Sequence, residues 1–181
     1  MTDTAVASAS AAIAPPITTL RLAVDADAPV VLGWRNHPAV RRVMFTDHLI
    51  GPDEHGAWWN RVQASPRHRL LIVVHAGLDC GVVTFTRSLE EPGTWFWGFY
   101  LDPDAFTQPM QQLRAWSGME QQSLLLAQHE LRAARVDCEV FAFNAAVLAL
   151  HKRHRFLEID RYQRQRGEES LEVVRLYREF P

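Results

Sequence analysis

Three runs of β-branched and aromatic residues follow one another in the middle of the chain, and they constrain its fold more than any other feature. They lie at residues 70–76, 81–86 and 94–101. Gly-Leu-Asp at 77–79 separates the first two runs, and Pro92-Gly93 precedes the third, so each junction carries turn-forming residues. The sequence therefore predicts three successive antiparallel strands at the centre of a sheet.

The segments on either side of these runs carry further strand and helix patterns. Leu20, Leu22 and Val24 alternate with other residues, which predicts a strand with these three side chains on its buried face. The predicted elements are a strand at 17–24, a helix at 25–35 capped by Asp25, a helix that begins at 51–54 and ends at Pro66, the three central strands, a helix at 118–131, a strand at 135–141, a helix at 144–154, and a hairpin of strands 156–164 and 171–178. Their order is β-α-α-β-β-β-α-β-α-β-β.

The composition is that of one folded domain. The chain has 181 residues, of which 48% are apolar and 22% charged, and its formal net charge is −2. This balance excludes a mostly disordered chain, and the small net charge gives no general attraction to nucleic acid or to an anionic membrane. Residues 1–16 are rich in Ala, Ser and Thr and predict a flexible tail before a domain at 17–181. No apolar run is long enough to span a bilayer.

The chain has only two cysteines, Cys80 and Cys138. They are too few for a disulfide framework and lack the paired spacing of a zinc site, so we predict two buried thiols and no bound metal. A reducing compartment suits such thiols, and we expect the protein to be cytoplasmic.

The C-terminal part of the chain resembles the GNAT superfamily of N-acetyltransferases. The residues that carry the resemblance are Glu-Val-Phe-Ala-Phe-Asn at 139–144, the helix-like segment 145–152, and Phe156. Together with the order of elements, the resemblance covers about residues 17–178. It implies an α/β (α+β) fold in which about four helices flank a mixed, mostly antiparallel sheet of about seven strands. It also implies transfer of an acetyl group from acetyl-coenzyme A (acetyl-CoA) to a primary amine.

Within this superfamily the chain is similar to the N-acetyltransferases of nucleotide-linked amino sugars, such as the enzyme of the pseudaminic acid pathway. The matching pieces are residues 34–41, Met44-Phe45, Ile50 with Glu54-His55, residues 97–100, and Met119-Glu120. The resemblance implies that the acceptor is the 4-amino group of a UDP-linked amino sugar, and that the protein is a monomer or a homodimer. Relatives that acetylate the N-termini of ribosomal proteins share part of Trp34-Arg35-Asn36, which leaves them as an alternative.

The resemblance also assigns roles to residues near the acetyl group. The strand at 97–101 parts from its neighbour in this superfamily, so Phe99, Tyr100 and Leu101 are expected to line the acetyl site. His151 lies where many relatives have the Tyr that protonates the coenzyme A sulfur, and the other interpretation is an ordinary surface histidine. We expect Tyr100 and His151 to be the catalytic residues. Asn144 is expected to contact the coenzyme or to cap the last helix.

The acceptor side of the cleft is formed in this superfamily by the first two helices. Arg35, Asn36 and His55 are therefore the candidate substrate-binding residues, with Arg35 or His55 contacting a phosphate or hydroxyls. No strong base is evident; Glu120 and Glu139 are candidates by position, and each is equally interpretable as a solvated carboxylate.

One segment departs from the superfamily pattern. The diphosphate loop of these enzymes is rich in glycine and precedes the long helix, because glycine lets backbone amides close around the phosphates. The corresponding residues here, predicted to bind the coenzyme, are Gln111, Arg114, Ala115, Trp116 and Ser117. Arg114 and Trp116 replace two of the glycines, and Arg155 replaces a third before Phe156. Either coenzyme binding is weakened, as in a regulatory module that has kept only the fold, or Arg114 binds the diphosphate by charge.

Overall fold

The computed structural model of the protein describes residues 17–181. The predicted tail at residues 1–16 lies outside the described residues. The strands are β1 (Thr18–Leu22), β2 (His68–His75), β3 (Leu78–Arg87), β4 (Thr94–Leu101), β5 (Arg135–Phe141), β6 (Leu157–Arg166) and β7 (Glu169–Glu179). The helices are α1 (Ala28–Asn36), α2 (Pro38–Val43), α3 (Pro52–Ala64), α4 (Pro109–His129) and α5 (Ala145–Arg153), and a 3₁₀ turn at Asp25–Asp27 precedes α1. Within residues 17–181 no helix is both long and apolar enough to cross a membrane.

The seven strands form one sheet in the order β1-β2-β3-β4-β5-β7-β6. Only β4 and β5 are parallel, and every other neighbouring pair is antiparallel. The predicted mixed, mostly antiparallel sheet and its three central strands are therefore confirmed. Residues 17–181 contain five α-helices rather than about four, because a second short helix begins at Pro38. Pro is well suited to the first position of a helix, so the same residue that ends α1 starts α2.

The strand prediction was wrong about the buried face of β1. Leu22 and Val24 are 64% and 55% exposed. β1 is an edge strand, and on its core side only Thr18 and Leu20 lie against the central hydrophobic cluster or α4. Alternation in the sequence gives the face on which a side chain lies, but not how far along the strand a helix covers that face.

The sheet separates two hydrophobic clusters. The cluster on the α4 and α5 side includes Trp95, Trp97 and Leu101 of β4, with Phe99 packed against it. The cluster on the other side contains side chains of α1, α3 and β2, and Tyr100 packs against it. Side chains along β4 thus alternate between the two layers, and this strand contributes to both.

Helix α4 begins at Pro109, whereas the sequence analysis placed the start of this helix at Gly118. The segment 111–117, predicted as a phosphate-binding loop, is therefore helical. Its Gln, Leu, Arg and Ala residues are good helix formers, and they follow Pro109 at the first helical position. Gly118 serves packing instead, because a Cβ atom there would lie 2.3 Å from Oγ1 of Thr18 in β1.

Helix α5 ends in a Schellman motif whose left-handed position is occupied by Arg155. The amide of Phe156 donates to the carbonyl of His151 at 3.0 Å, and the amide of Arg155 donates to the carbonyl of Lys152 at 3.1 Å. The φ angle of Arg155 is 62°, a conformation that suits glycine. The arginine that replaces the expected glycine therefore carries a cost in backbone strain.

We expect Arg155→Gly to raise the free energy of unfolding by about 0.5 to 1 kcal/mol. Relief of the left-handed strain stabilises the folded protein by more than the greater freedom of glycine stabilises the unfolded chain. Arg155 is exposed, so little packing is lost. Arg153→Gly, at an exposed helical position of α5, is the matched control and should lower stability by about 1 kcal/mol. Urea denaturation measures both; equal effects of the two substitutions would contradict the assignment of strain to Arg155.

Four histidines lie in environments that favour the uncharged ring: His55, His68, His75 and His154. Burial lowers the pKa of each, and neighbouring arginines add to the lowering at His68, His75 and His154. Nδ1 of His75 shares a 2.8 Å hydrogen bond with the hydroxyl of Thr18, which joins β2 to β1. These pKa values lie below the value of about 6.5 in the unfolded chain. As the pH falls toward that value, the unfolded chain therefore binds more protons than the folded protein does.

Stability is therefore expected to fall as the pH is lowered from 7.5 to 5.5. Each proton taken up on unfolding contributes a slope of about 1.4 kcal/mol per pH unit. Urea denaturation at the two pH values measures the change. The double variant His68→Gln, His75→Gln should reduce the slope, and an unchanged slope would show that these rings are not the source.

Candidate active site

Strands β4 and β5 lie side by side for only part of their length. Their parallel pairing joins Thr94 to Arg135, Trp95 to Val136 and Phe96 to Asp137, and then stops. Residues 97–101 continue β4 with β3 as their partner. The backbone groups on the β5 side of residues 97–101 therefore have no ladder partner, which leaves donors and acceptors for a ligand. The parting of strands that the family resemblance implies is present in the structure.

A cavity of about 890 Å³ occupies the gap between the parted strands. One wall is formed by α1, α3 and the segment between α2 and α3, and the opposite wall by α4 and α5. The predicted residues that line this cavity are Arg35, His55, Phe99, Tyr100, Leu101, Trp116, Asn144 and His151. The structure thus brings together side chains that are far apart in the sequence.

The predicted coenzyme loop contributes only in part. Trp116 lines the cavity together with Gln112, one helical turn before it. Gln111, Arg114 and Ser117 are exposed and do not line it, and Ala115 is buried in the core. Helix geometry explains the difference, because Gln111, Ala115 and Ser117 are one position from Gln112 or Trp116 and lie about 100° around the axis, and Arg114 is two positions from both and lies about 200° around it.

Trp116 forms part of the cavity wall. Its ring meets that of Phe99 edge-on, with centroids 5.8 Å apart. Its Nε1–H is buried without a hydrogen-bond acceptor among the described residues. Asn144 precedes α5 at the capping position, but its side chain makes no capping hydrogen bond, so the interpretation as an ordinary N-cap is wrong. Both side chains therefore have polar groups available on the α4 and α5 side.

His151 is buried rather than on the surface, with 1% of its area exposed. Its Nδ1 lies 2.9 Å from Oε1 of Glu120, whose side chain is completely buried. The interpretations of His151 as a surface histidine and of Glu120 as a solvated carboxylate are both wrong. The aromatic rings of Trp97, Phe99 and Phe156 surround the imidazole, with centroids 4.8 to 5.8 Å away.

Arg35 lines the cavity and forms no ion pair within 4 Å with a carboxylate of the described residues. Its Nη2 donates to the carbonyl of Thr46 at 2.7 Å and to the hydroxyl of Thr46 at 2.8 Å. Its Nη1 is buried without a partner among the described residues. Burial lowers the pKa of Arg35 and raises that of nearby Tyr100. A guanidinium with a free N–H beside the cavity suits an anionic group of a ligand.

The acidic residues that line the cavity already have basic partners. Glu54 lies 3.0 Å from Nε2 of His48, and Asp137 accepts hydrogen bonds of 2.5 and 3.0 Å from Arg135. Glu139 lies 4.0 Å from Arg164. The charges of these three carboxylates are therefore partly offset by basic neighbours.

The other two residues predicted to bind the acceptor substrate, Asn36 and His55, form hydrogen bonds within the protein. Asn36 does not line the cavity; its side-chain amide donates to the carbonyl of Ile50 and accepts from the amide of Ile50, both at 2.9 Å. His55 lines the cavity, but its Nε2 donates to the carbonyl of Ala28 at 2.9 Å. The structure therefore gives Asn36 a role in holding the segment between α2 and α3.

The residues that line the cavity fit the thioester end of an acyl-coenzyme A better than its diphosphate. Unpaired backbone groups and His151 suit a thioester in the parted strands. At the start of α4, however, no glycine lies between Leu101 and Gly118, and the amides of Gln111 and Gln112 both donate to the carbonyl of Gln108. The described residues therefore lack the glycine-rich amide cradle for a diphosphate.

Sequence reasoning missed several residues of this site, among them Gln112, Cys138 and Thr46. Gln112 was missed because the segment was taken as a loop; the i, i+4 spacing from Gln112 to Trp116 would have indicated it on a helix. Cys138 lies at the point where β5 leaves β4 and lines the cavity. Thr46 orients Arg35, and no local sequence signal shows this.

Comparison with solved structures identifies the architecture. Spermidine N-acetyltransferase from Vibrio cholerae, solved with CoA and spermine, superposes with a TM-score of 0.79 at 15% identity, over 90% of this chain and 95% of that one. Ribosomal-protein-alanine N-acetyltransferase from Brucella melitensis gives 0.69 at 16% identity over 89% and 99%. A GNAT-family acetyltransferase from Streptococcus pneumoniae gives 0.66 at 17% identity over 91% and 99%.

No protein-family model matches the chain, and no curated protein matches it by sequence. The similarity to these enzymes therefore lies in the arrangement of helices and strands, at identities too low to transfer a substrate. The arrangement covers nearly the whole of each compared chain. From residue 17 onward, this protein has the fold of the GNAT acetyltransferases.

Proposed function

We propose that the protein is an N-acetyltransferase that moves an acetyl group from acetyl-CoA to a primary amine. The observation that carries the proposal is the cavity between parted β4 and β5, which adjoins unpaired backbone groups of β4 and the buried His151. Acetyl-CoA supplies the activated acyl group as a thioester. Backbone N–H groups of residues 97–101 would bind the carbonyl oxygen, and such donors stabilise the charge that develops there.

His151 is proposed to supply the proton that the departing sulfur needs. Its Nδ1 is occupied by Glu120, so Nε2 is the nitrogen available for proton transfer. Tyr100 lies on the acceptor side, where burial raises its pKa and keeps the phenol protonated. We propose that Tyr100 helps to position the acceptor, as a hydrogen-bond donor.

The acceptor is proposed to be the 4-amino group of a nucleotide-linked amino sugar. This is supported by Arg35, whose free Nη1 suits a phosphate, and by the pairing of Glu54, Asp137 and Glu139 with basic residues. A polyamine such as spermidine would place positive charge beside an unpaired guanidinium. We therefore favour an anionic acceptor.

The proposal is tested by measuring release of free thiol from acetyl-CoA with three amines: a UDP-linked 4-amino sugar, spermidine, and a peptide with the N-terminus of a ribosomal protein. We expect the highest kcat/KM with the amino sugar. A higher value with the peptide would instead assign N-terminal acetylation, and a higher value with spermidine would contradict the argument from Arg35. Calorimetric binding of coenzyme A without turnover of any amine would indicate a binding module.

A further inference from the structure

Among the described residues of the cavity wall, His151 is suited both to accept a proton from the attacking amine and to return a proton to sulfur. The carboxylates that line the cavity, those of Glu54, Asp137 and Glu139, lie beside basic residues. Burial raises the pKa of Tyr100, so its phenol keeps its proton. Two histidines, His55 and His151, line the cavity, and His151 is the one whose ring is held by a buried carboxylate, that of Glu120.

Resting on the proposed function, we infer that His151 acts as both base and acid, and that Glu120 is the positioning residue that makes this possible. An ionised carboxylate only accepts hydrogen bonds, so Nδ1 of His151 must carry the proton in this pair. The neutral ring then has its lone pair on Nε2. Packing against Trp97, Phe99 and Phe156 restricts rotation of the ring that would exchange the two nitrogens.

The buried carboxylate of Glu120 is placed to balance a second proton on the ring. Oε2 of Glu120 is buried and has no hydrogen-bond partner among the described residues. A carboxylate in this position is poorly compensated while His151 is neutral, and a buried uncompensated charge is costly. When Nε2 holds the transferred proton, the pair is neutral as a whole, so Glu120 balances the charge that the reaction places on the ring.

The transfer balances without a further reactant. The lone pair of the amine forms the C–N bond to the acetyl carbon, and Nε2 of His151 takes a proton from that nitrogen. The C–S bond breaks with its electron pair on sulfur, and Nε2 returns the proton to sulfur to give the free thiol. Nitrogen and sulfur are attached to the same carbon during the exchange, so one ring nitrogen can serve both.

The groups that bear on the charge of this pair come from four elements. They are Glu120 on α4, His154 on α5, Arg178 on β7 and Cys138 on β5. Arg178 donates to the carbonyl of His154 at 2.6 Å. Burial keeps Cys138 protonated by raising its pKa and keeps His154 uncharged by lowering its pKa, so Arg178 is the additional cation facing Glu120.

The first test is the tautomer of His151, read from its ¹⁵N chemical shifts in the full chain. We expect the proton on Nδ1 in the neutral ring. In Glu120→Leu, which removes the acceptor, the ring should lose this preference. A proton on Nε2 in the wild type would overturn the inference, whether or not the protein is active.

The second test is the pH dependence of kcat. A base must be unprotonated to act, so we expect the kcat of the wild type to rise with pH. His151→Gln should lower kcat by a factor of about 10² to 10⁴ and remove this rise, while the Kd for acetyl-CoA changes little. Glu120→Gln should keep the hydrogen bond to His151 but remove the charge that stabilises the imidazolium. The rise of kcat with pH should then occur at lower pH, and kcat should fall about tenfold or more. Glu120→Asp should restore part of the wild-type profile.

His129→Gln, an exposed position on α4, is the matched control and should leave the profile unchanged. A wild-type profile in Glu120→Gln would overturn the positioning role while leaving the proposed function intact. Wild-type protein that releases no thiol with any of the three amines would overturn the proposed function and, with it, the proton transfer.

Discussion

Replacing Gly81 by alanine is expected to lower the free energy of unfolding by about 3 kcal/mol, because the added methyl group has no space. A Cβ atom at this position of β3 would lie 2.5 Å from the carbonyl oxygen of Tyr100 and 2.9 Å from Cα of Leu101. Both are backbone atoms of β4, so relief requires the two strands to separate where the cavity begins. Activity should fall together with stability.

Urea denaturation of Gly81→Ala beside Gly33→Ala measures this effect. Gly33 lies in α1, and a Cβ atom there would meet nothing within 4 Å. The Gly33 variant should be neutral or more stable by up to about 1 kcal/mol, because alanine favours the helix. A loss of similar size in both variants would show that the contact between β3 and β4 is not the cause.

Replacing Arg35 by glutamine is expected to lower kcat/KM for an anionic acceptor about 100-fold, equivalent to ~2.7 kcal/mol of lost binding in the transition state. The substitution removes the charge and the free Nη1 beside the cavity. The affinity for coenzyme A should change little, since Arg35 lies on the opposite wall from α4 and α5. Steady-state kinetics and calorimetry measure the two quantities.

Thr46→Val is the matched control for this prediction. It removes one of the two hydrogen bonds that orient Arg35 and leaves the guanidinium in place. Its kcat/KM should fall much less than that of Arg35→Gln. Equal losses in both variants would mean that Arg35 acts by ordering the segment between α2 and α3, and an unaffected Arg35 variant would argue against an anionic acceptor.

The arrangement of the strands was predictable from the sequence because it depends on local signals. Turn residues between β-branched runs gave the central strands, and β5 was predicted at the bounds that the structure shows, Arg135–Phe141. The start of α4 was missed for a different reason. Residues 111–117 were assigned to an expected glycine loop, whereas their composition favours a helix.

The pairing of side chains across the site was beyond the reach of the sequence. Glu120 and His151 are 31 residues apart on different helices, and only the packing of both helices on one face of the sheet brings them together. Asn36 is a similar case, since its bonds to the backbone of Ile50 depend on how the chain returns after α2. The residue types of Glu120, His151 and Asn36 indicated which hydrogen bonds each side chain can form. The neighbouring group that each one binds decides whether it can also bind a ligand.

The short contact between β4 and β5 also divides the sheet mechanically. Three residue pairs join the unit of β1 to β4 to the unit of β5, β7 and β6, and each unit is otherwise held by longer antiparallel ladders. Such a seam allows one half to open without unfolding the other, and amide hydrogen exchange reports this kind of sub-global opening. A molecule that bridges the gap supplies the missing connections, so occupancy of the cavity would slow exchange in both halves at once.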